Sequence, residues 1–149
     1  MNVRALTSGE VALARTVFGD AIDYDRARIA NRKWWWFQPR HYAMAPAGCI
    51  HFHPEGDLYR DDFAASDIGM QGFFLHELTH VWQHQRGLNL LLRRHPFCRY
   101  SYSFVPGRPL VRYGIEQQAE IVRHAFLIRE GRTVAGAPPL GQYESLLPF

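Results

Sequence analysis

His76, Glu77, Leu78, Thr79 and His80 read H-E-x-x-H, inside a stretch that the sequence predicts to be one helix from Ser66 to Arg86. On a helix, residues four apart differ by about 40° in azimuth and by roughly 6 Å along the axis. Both imidazoles can therefore project from one face toward a single ion, and zinc suits that donor type and spacing. Glu77 lies about 100° around the helix from His76, where a carboxylate can reach a water without taking a coordination position. The chemistry on offer is metal-assisted hydrolysis. Zinc supplies Lewis acidity, and Glu77 takes a proton from water and later passes it to the leaving group. With eight histidines in 149 residues, a chance match has to be weighed. Against it stand the helical context, the apolar Phe73, Phe74 and Leu75 just before the motif, and a third ligand downstream.

Catalytic zinc takes three protein ligands and keeps one position open. His84 cannot be the third, because it would stand about 12 Å from His76 along a straight helix, whereas zinc bonds are about 2 Å. The longer pattern H-E-x-x-H-x-x-G-x-x-H fails as well, since Gln83 and Arg86 occupy its glycine and last histidine positions. The last predicted helix, from about Gly114 to Arg129, carries Glu116-Gln117-Gln118-Ala119-Glu120. Glu116 and Glu120 share a face, so one can bind zinc while the other accepts the spare N–H of a ligating histidine. Spacing alone does not choose between them. An oxyanion needs a donor, for which Tyr113, Tyr100, Tyr102 and His95 are candidates. Tyr113, three residues before Glu116, faces the same site if the helix begins early enough.

With these residues in place, H-E-L-T-H-V-W-Q-H-Q followed by E-Q-Q-A-E resembles the gluzincin metallopeptidases, in which E-x-x-x-D or E-x-x-A-N follows on a second helix. The resemblance implies that Glu116 is the third ligand and that Glu120 takes the place of the outer Asp or Asn, one methylene longer. From Leu6 onward the chain is also similar to small bacterial proteins described as vgr-related or Rhs-associated metallopeptidases. That likeness implies a link to contact-dependent or type VI secretion.

The elements that must position these residues follow from local pattern. Thr7 and Glu10 form a capping-box signature ahead of a helix ending near Phe18 and Gly19. Asp25 to Ala30 reads weakly as a strand. Tyr42–Met44 and Cys49–His53 make a hairpin across Ala45-Pro46-Ala47-Gly48. His51 and His53 share one strand face, read as polar surface rather than as ligands. Trp34, Trp35, Trp36 and Phe37 form the most aromatic patch, expected as a lid on the core. Leu58 to Phe63 is an edge strand or irregular. Ser66 caps the motif helix, whose first half Gly69 and Gly72 weaken. Leu88 to Arg94 is apolar and of open type, and Cys98–Phe104 and Leu110–Tyr113 are expected as strands around a Pro-Gly turn. The tail from Ala137 packs back on the rest.

Composition sets the frame. With 47% hydrophobic and 14% aromatic residues, one domain over 1–149 has ample material for a core. A charge of +3 with basic residues spread along the chain argues against nucleic acid as a partner. No apolar run suits a membrane span and no classical export signal opens the chain, so the expectation is a cytoplasmic protein without a membrane partner, or one exported by another route. Cys49 and Cys98 are expected as reduced thiols. The whole is read as α+β, a minimal zincin-like domain with a small sheet against a metal-binding helix and a glutamate helix. Its expected activity is zinc-dependent hydrolysis of a peptide or protein substrate. Two rivals stand beside this reading: a zinc-stapled binding module associated with a secretion system, and an interaction protein using the tryptophan patch.

Overall fold

Thr7 and Glu10 close on each other as their spacing predicts: the Glu10 amide donates to the Thr7 hydroxyl at 3.0 Å, and the Thr7 amide donates to Glu10 Oε2 at 2.9 Å. In this computed structural model, which describes residues 2–93 and 99–149, the box starts α1, Ser8–Phe18. Glu10 is wholly buried and also accepts both Arg4 guanidinium arms and the Phe63 amide, each at 2.9 Å. A buried carboxylate is tolerable only among such donors. They tie β1, Val3–Ala5, to α1 and to a 3-10 turn at Phe63–Ala65.

The architecture is α+β, with a four-stranded mixed sheet. β1 runs antiparallel to β2, Arg28–Ala30; β2 is parallel to β4, Cys49–Phe52; and β4 is antiparallel to the edge strand β3, Ala43–Met44. The expected hairpin is the β3–β4 pair, with Ala43 opposite Phe52 and Met44 opposite His51. Ile29 and Ile50 face each other in the parallel pair and are fully buried.

Helix α2, Ile68–Gln85, carries the H-E-x-x-H turn. It is capped by Asp67, whose carboxylate accepts the Met70 amide at 2.9 Å, one residue later than expected; Ser66 instead ends the 3-10 turn. From Phe74 to Gln83 the helix is buried without a break, between the aromatic layer of Phe52, Phe63 and Phe74 and the neighbouring α4, Ile115–Arg129. Gly72 explains itself here. A Cβ at that position would lie 3.1 Å from Leu127 Cδ2 and 3.5 Å from Arg123 Cγ, so a residue that costs helix propensity lets two helices approach.

The expected strands on either side of the Pro-Gly turn are not formed among the described residues. Arg99 to Phe104 has no regular structure and Leu110–Arg112 is a 3-10 turn. The alternation of Tyr100, Tyr102 and Phe104 arises because an extended segment lies across α4 and α5, Leu140–Leu146, held by side chains rather than by a ladder. The Tyr102 hydroxyl meets His124 Nδ1 and the Tyr143 hydroxyl at 2.7 Å each. His95 and Cys98 lie outside the described residues. α3 is the short helix Leu90–Arg93. The tail does fold back, with Phe149 against Phe18 and Trp82. No helix among the described residues is long and apolar enough to cross a membrane.

The tryptophan patch is not a core lid. Trp35, Trp36 and Phe37 are 42%, 82% and 56% exposed, while the adjacent Gln38 takes the buried position and spends its amide on backbone groups.

Candidate metal centre

Helices α2 and α4 lie side by side and bring the two halves of the site together. His76 and His80 come from successive turns of α2, Glu116 and Glu120 from successive turns of α4. Glu116 Oε1 is 2.8 Å from His80 Nε2 and 3.3 Å from His76 Nε2. The donor atoms of His76, His80 and Glu116 all lie within 4.8 Å of one another, and all three residues are buried. Donors around a tetrahedral ion with bonds near 2.1 Å stand roughly 3.4 Å apart, so the group fits a small cation with little movement.

The other ring nitrogens are already engaged. His76 Nδ1 meets Glu120 Oε2 at 3.1 Å, and His80 Nδ1 meets Gln83 Oε1 at 2.9 Å. With Nδ1–H donating outward on both rings, the Nε2 lone pairs are those left to face Glu116. Gln83 is fixed in turn, its amide donating to the Ile115 carbonyl and to Gln118 Oε1, both at 3.0 Å. Gln118 donates to the Tyr113 carbonyl at 2.8 Å. Sequence reasoning passed over Gln83. The one available signal was its place three residues after His80, where a helical side chain reaches back to the ring.

Electrostatics follow the same geometry. Burial alone would lower the His76 pKa, but hydrogen bonds to Glu116 and Glu120, with the charges of Glu77 and Glu116, overcome it and push the group up to about 10. His80 is likewise raised against its burial, chiefly by Glu116. Burial would raise Glu116, yet the two histidines hold its carboxyl well below the usual range, and Glu120 is lowered by His76 and Arg123. In the metal-free chain, protons therefore supply the positive charge that buried Glu77 and Glu116 and half-buried Glu120 require.

A pH test comes from this competition. With a folded pKa above the unfolded value of about 6.5, protonated His76 stabilises the metal-free chain fully below pH about 6.5, and this is lost as pH rises toward 10. A metal-loaded imidazole carries no such proton and loses nothing over that range. The stabilisation given by metal should thus grow with pH from about 6.5 upward, by up to about 1.4 kcal/mol per pH unit for each proton displaced. Thermal unfolding of loaded and chelated protein across this range checks it; parallel curves would show that metal and protons do not compete here.

Glu77 sits between the histidines at 7% exposure, close enough for its charge to act on both rings. Of the described oxyanion candidates, Tyr100 has its ring stacked on His76 with centroids 6.0 Å apart. The Tyr113 hydroxyl is committed elsewhere, accepting the Val105 amide at 3.0 Å. Tyr102 is spent on His124 and Tyr143. A small cavity of about 40 Å³ opens onto His80 and Glu116 between Met44, Ala45 and Pro46 at the sheet edge and Leu90 and Leu91 of α3. His51 and His53 do not join the centre, and the thiol of Cys49 is free, its pKa pushed up by burial.

Comparison with known proteins gives two likenesses. The chain is 43% identical over 134 residues to the type VI secretion system spike protein VgrG2b of Pseudomonas aeruginosa, a match covering 83% of this chain and 13% of the spike's length. It also superposes on the solved effector domain of Pseudomonas aeruginosa VgrG2b, with a TM-score of 0.75 and 38% identity over 95% of this chain and 80% of that one. No protein-family model matches. These findings correct the assignment to the gluzincin metallopeptidases: the relatives are a secretion spike and its effector domain, not a characterised peptidase. A match of three positions in the motif and two downstream glutamates is too local to identify a family, whereas the spike likeness extends over most of the chain. The bacterial setting stands, and the relatives are type VI secretion proteins, as the vgr-related likeness implied.

Proposed function

Because this chain belongs to the family of the VgrG2b effector domain, we propose that it is an effector module of a bacterial type VI secretion apparatus, and that His76, His80 and Glu116 hold a zinc ion used to hydrolyse a peptide bond. The observation that carries the metal-centred reading is the convergence of three buried donors whose outer nitrogens are already held by Glu120 and Gln83. Two imidazoles and a carboxylate suit zinc better than calcium or magnesium, which favour all-oxygen shells.

A zinc ion held there supplies Lewis acidity toward a carbonyl and acidifies a water. The protein's own groups do the rest. Glu77, buried beside both histidines, accepts the water's proton and returns it to the leaving amine. Glu120 and Gln83 keep the imidazoles in the tautomer that presents Nε2. Tyr100, whose ring stacks on His76, is the described candidate for steadying the oxygen on which charge develops. The second reading, a zinc-stabilised binding module without turnover, is favoured by the relatives' names, which state a place in secretion and no reaction. A buried Glu77 favours catalysis, since a structural metal needs no base.

The expected result is one zinc per chain by elemental analysis, and cleavage within a diverse peptide library that chelation abolishes and zinc restores. Stoichiometric zinc with no cleavage across the library would shift the reading to the binding module. Absence of stoichiometric metal would end both.

A further inference from the structure

Trp34, Trp35, Trp36 and Phe37 serve neither the sheet nor the metal centre, yet they are the most exposed aromatic cluster in the described chain. Their rings touch in series: Trp34 on Trp35 at 5.0 Å, then Trp35 and Trp36 each on Phe37 at 5.1 Å. They form one apolar cap rather than scattered contacts, and a contiguous exposed patch marks an interaction surface.

The cap is held rigid from beneath. Gln38, 3% exposed, accepts the Trp34 amide at 2.8 Å and donates to the Tyr42 and His51 carbonyls at 2.9 and 3.0 Å, which pins both feet of the loop to each other and to β4. The Lys33 ammonium donates to the Trp36 carbonyl at 3.0 Å and braces the tip. Among the described residues the three indole N–H groups have no acceptor. Cations flank the cap. Arg40 pairs with Glu55 at 2.9 Å, while Arg32 and Lys33 are exposed and have no carboxylate partner among the described residues.

We propose that this loop, Arg32 to Tyr42, docks the protein on an anionic lipid bilayer. Trp35, Trp36 and Phe37 enter the boundary between headgroups and acyl chains, and Arg32 and Lys33 meet the headgroup phosphates. Indole suits that boundary because its ring is apolar while its N–H seeks an oxygen acceptor, and basic residues beside it are drawn to anionic lipid. A protein partner would instead be recognised by seating an anchor in a pocket or groove. Here the rings project outward together, with their donors unspent and cations at their base. The expectation of no membrane partner rested on the lack of a spanning segment, and interfacial docking requires none. Because the loop is already fixed by Gln38, little ordering entropy opposes insertion.

The test uses the whole chain with vesicles of phosphatidylcholine alone and of phosphatidylcholine mixed with phosphatidylglycerol. The protein is expected to co-sediment with the mixed vesicles, with a blue-shifted tryptophan emission that brominated acyl chains quench. Trp82, buried at 4% exposure, contributes a constant background. The Trp36→Ala/Phe37→Ala double variant, changed only at exposed positions, should keep its thermal unfolding curve and lose at least about tenfold in partitioning. Arg32→Gln/Lys33→Gln should erase the preference for the anionic vesicles, as should raised salt. The proposal is overturned if wild type sediments with neither vesicle, or if the aromatic double variant partitions as well as wild type. It is overturned too if the aromatic rings instead drive lipid-free self-association that the double variant abolishes, since the cap would then join copies of this chain. None of these readouts depends on the metal centre.

Discussion

The Glu77→Gln chain is expected to keep one zinc per molecule and to lose about 10²- to 10⁴-fold in turnover, the usual worth of a general acid–base group. The carboxamide has the shape of the carboxylate and Glu77 sits outside the His76, His80 and Glu116 triangle, so the fold and the ligand set should be undisturbed. What disappears is the buried carboxylate beside the two histidines that the proposed mechanism uses to accept a water's proton. Elemental analysis and kcat on the best substrate from the library check the two halves independently. Zinc loss in the variant would place Glu77 among the ligands. Retained zinc with wild-type turnover would remove it from the mechanism.

The second large effect separates the two glutamates of α4. Glu116→Gln is expected to abolish stoichiometric zinc binding, because the oxygen facing both Nε2 atoms loses its charge and two imidazoles alone do not hold the ion tightly. Glu120→Gln and Gln83→Ala should instead weaken zinc by about 10- to 100-fold, since each acts through the far side of a histidine. Competition titration against a chelator of known affinity measures all three. If Glu120→Gln empties the site while Glu116→Gln binds as wild type does, the roles of the two carboxylates are exchanged.

Much of this site could be read from the residues alone, because helical spacing is a strong constraint. Two histidines four apart must share a face, as must Glu116 and Glu120, and the Thr7 and Glu10 pair had a single sensible use. Which glutamate faces the Nε2 atoms depends on the rotation of one helix against another, which no local pattern encodes. Gln83 was hidden because glutamine at a buried helix position looks like any polar residue until its partners across α4 are known. The alternation from Tyr100 to Phe104 misled for a related reason: period two reports an extended chain with two unlike sides, and says nothing about whether a neighbouring strand is there to pair with. Trp34 to Phe37 misled through composition, since large aromatics are usually inside; here Gln38, with three backbone partners, takes the buried position instead.

Gly72 stands one helical turn ahead of His76, pressed against Leu127 and Arg123 of the opposite helix. It lets α2 and α4 come close, and so bears on the span between the histidines of one helix and the carboxylate of the other. Small and large cations differ in bond length by only roughly 0.3 Å, comparable to the shift that a single added methyl would force on its neighbours. An added methyl at Gly72 would therefore act, through Leu127 and Arg123, on the spacing of His76, His80 and Glu116 without touching any of the three.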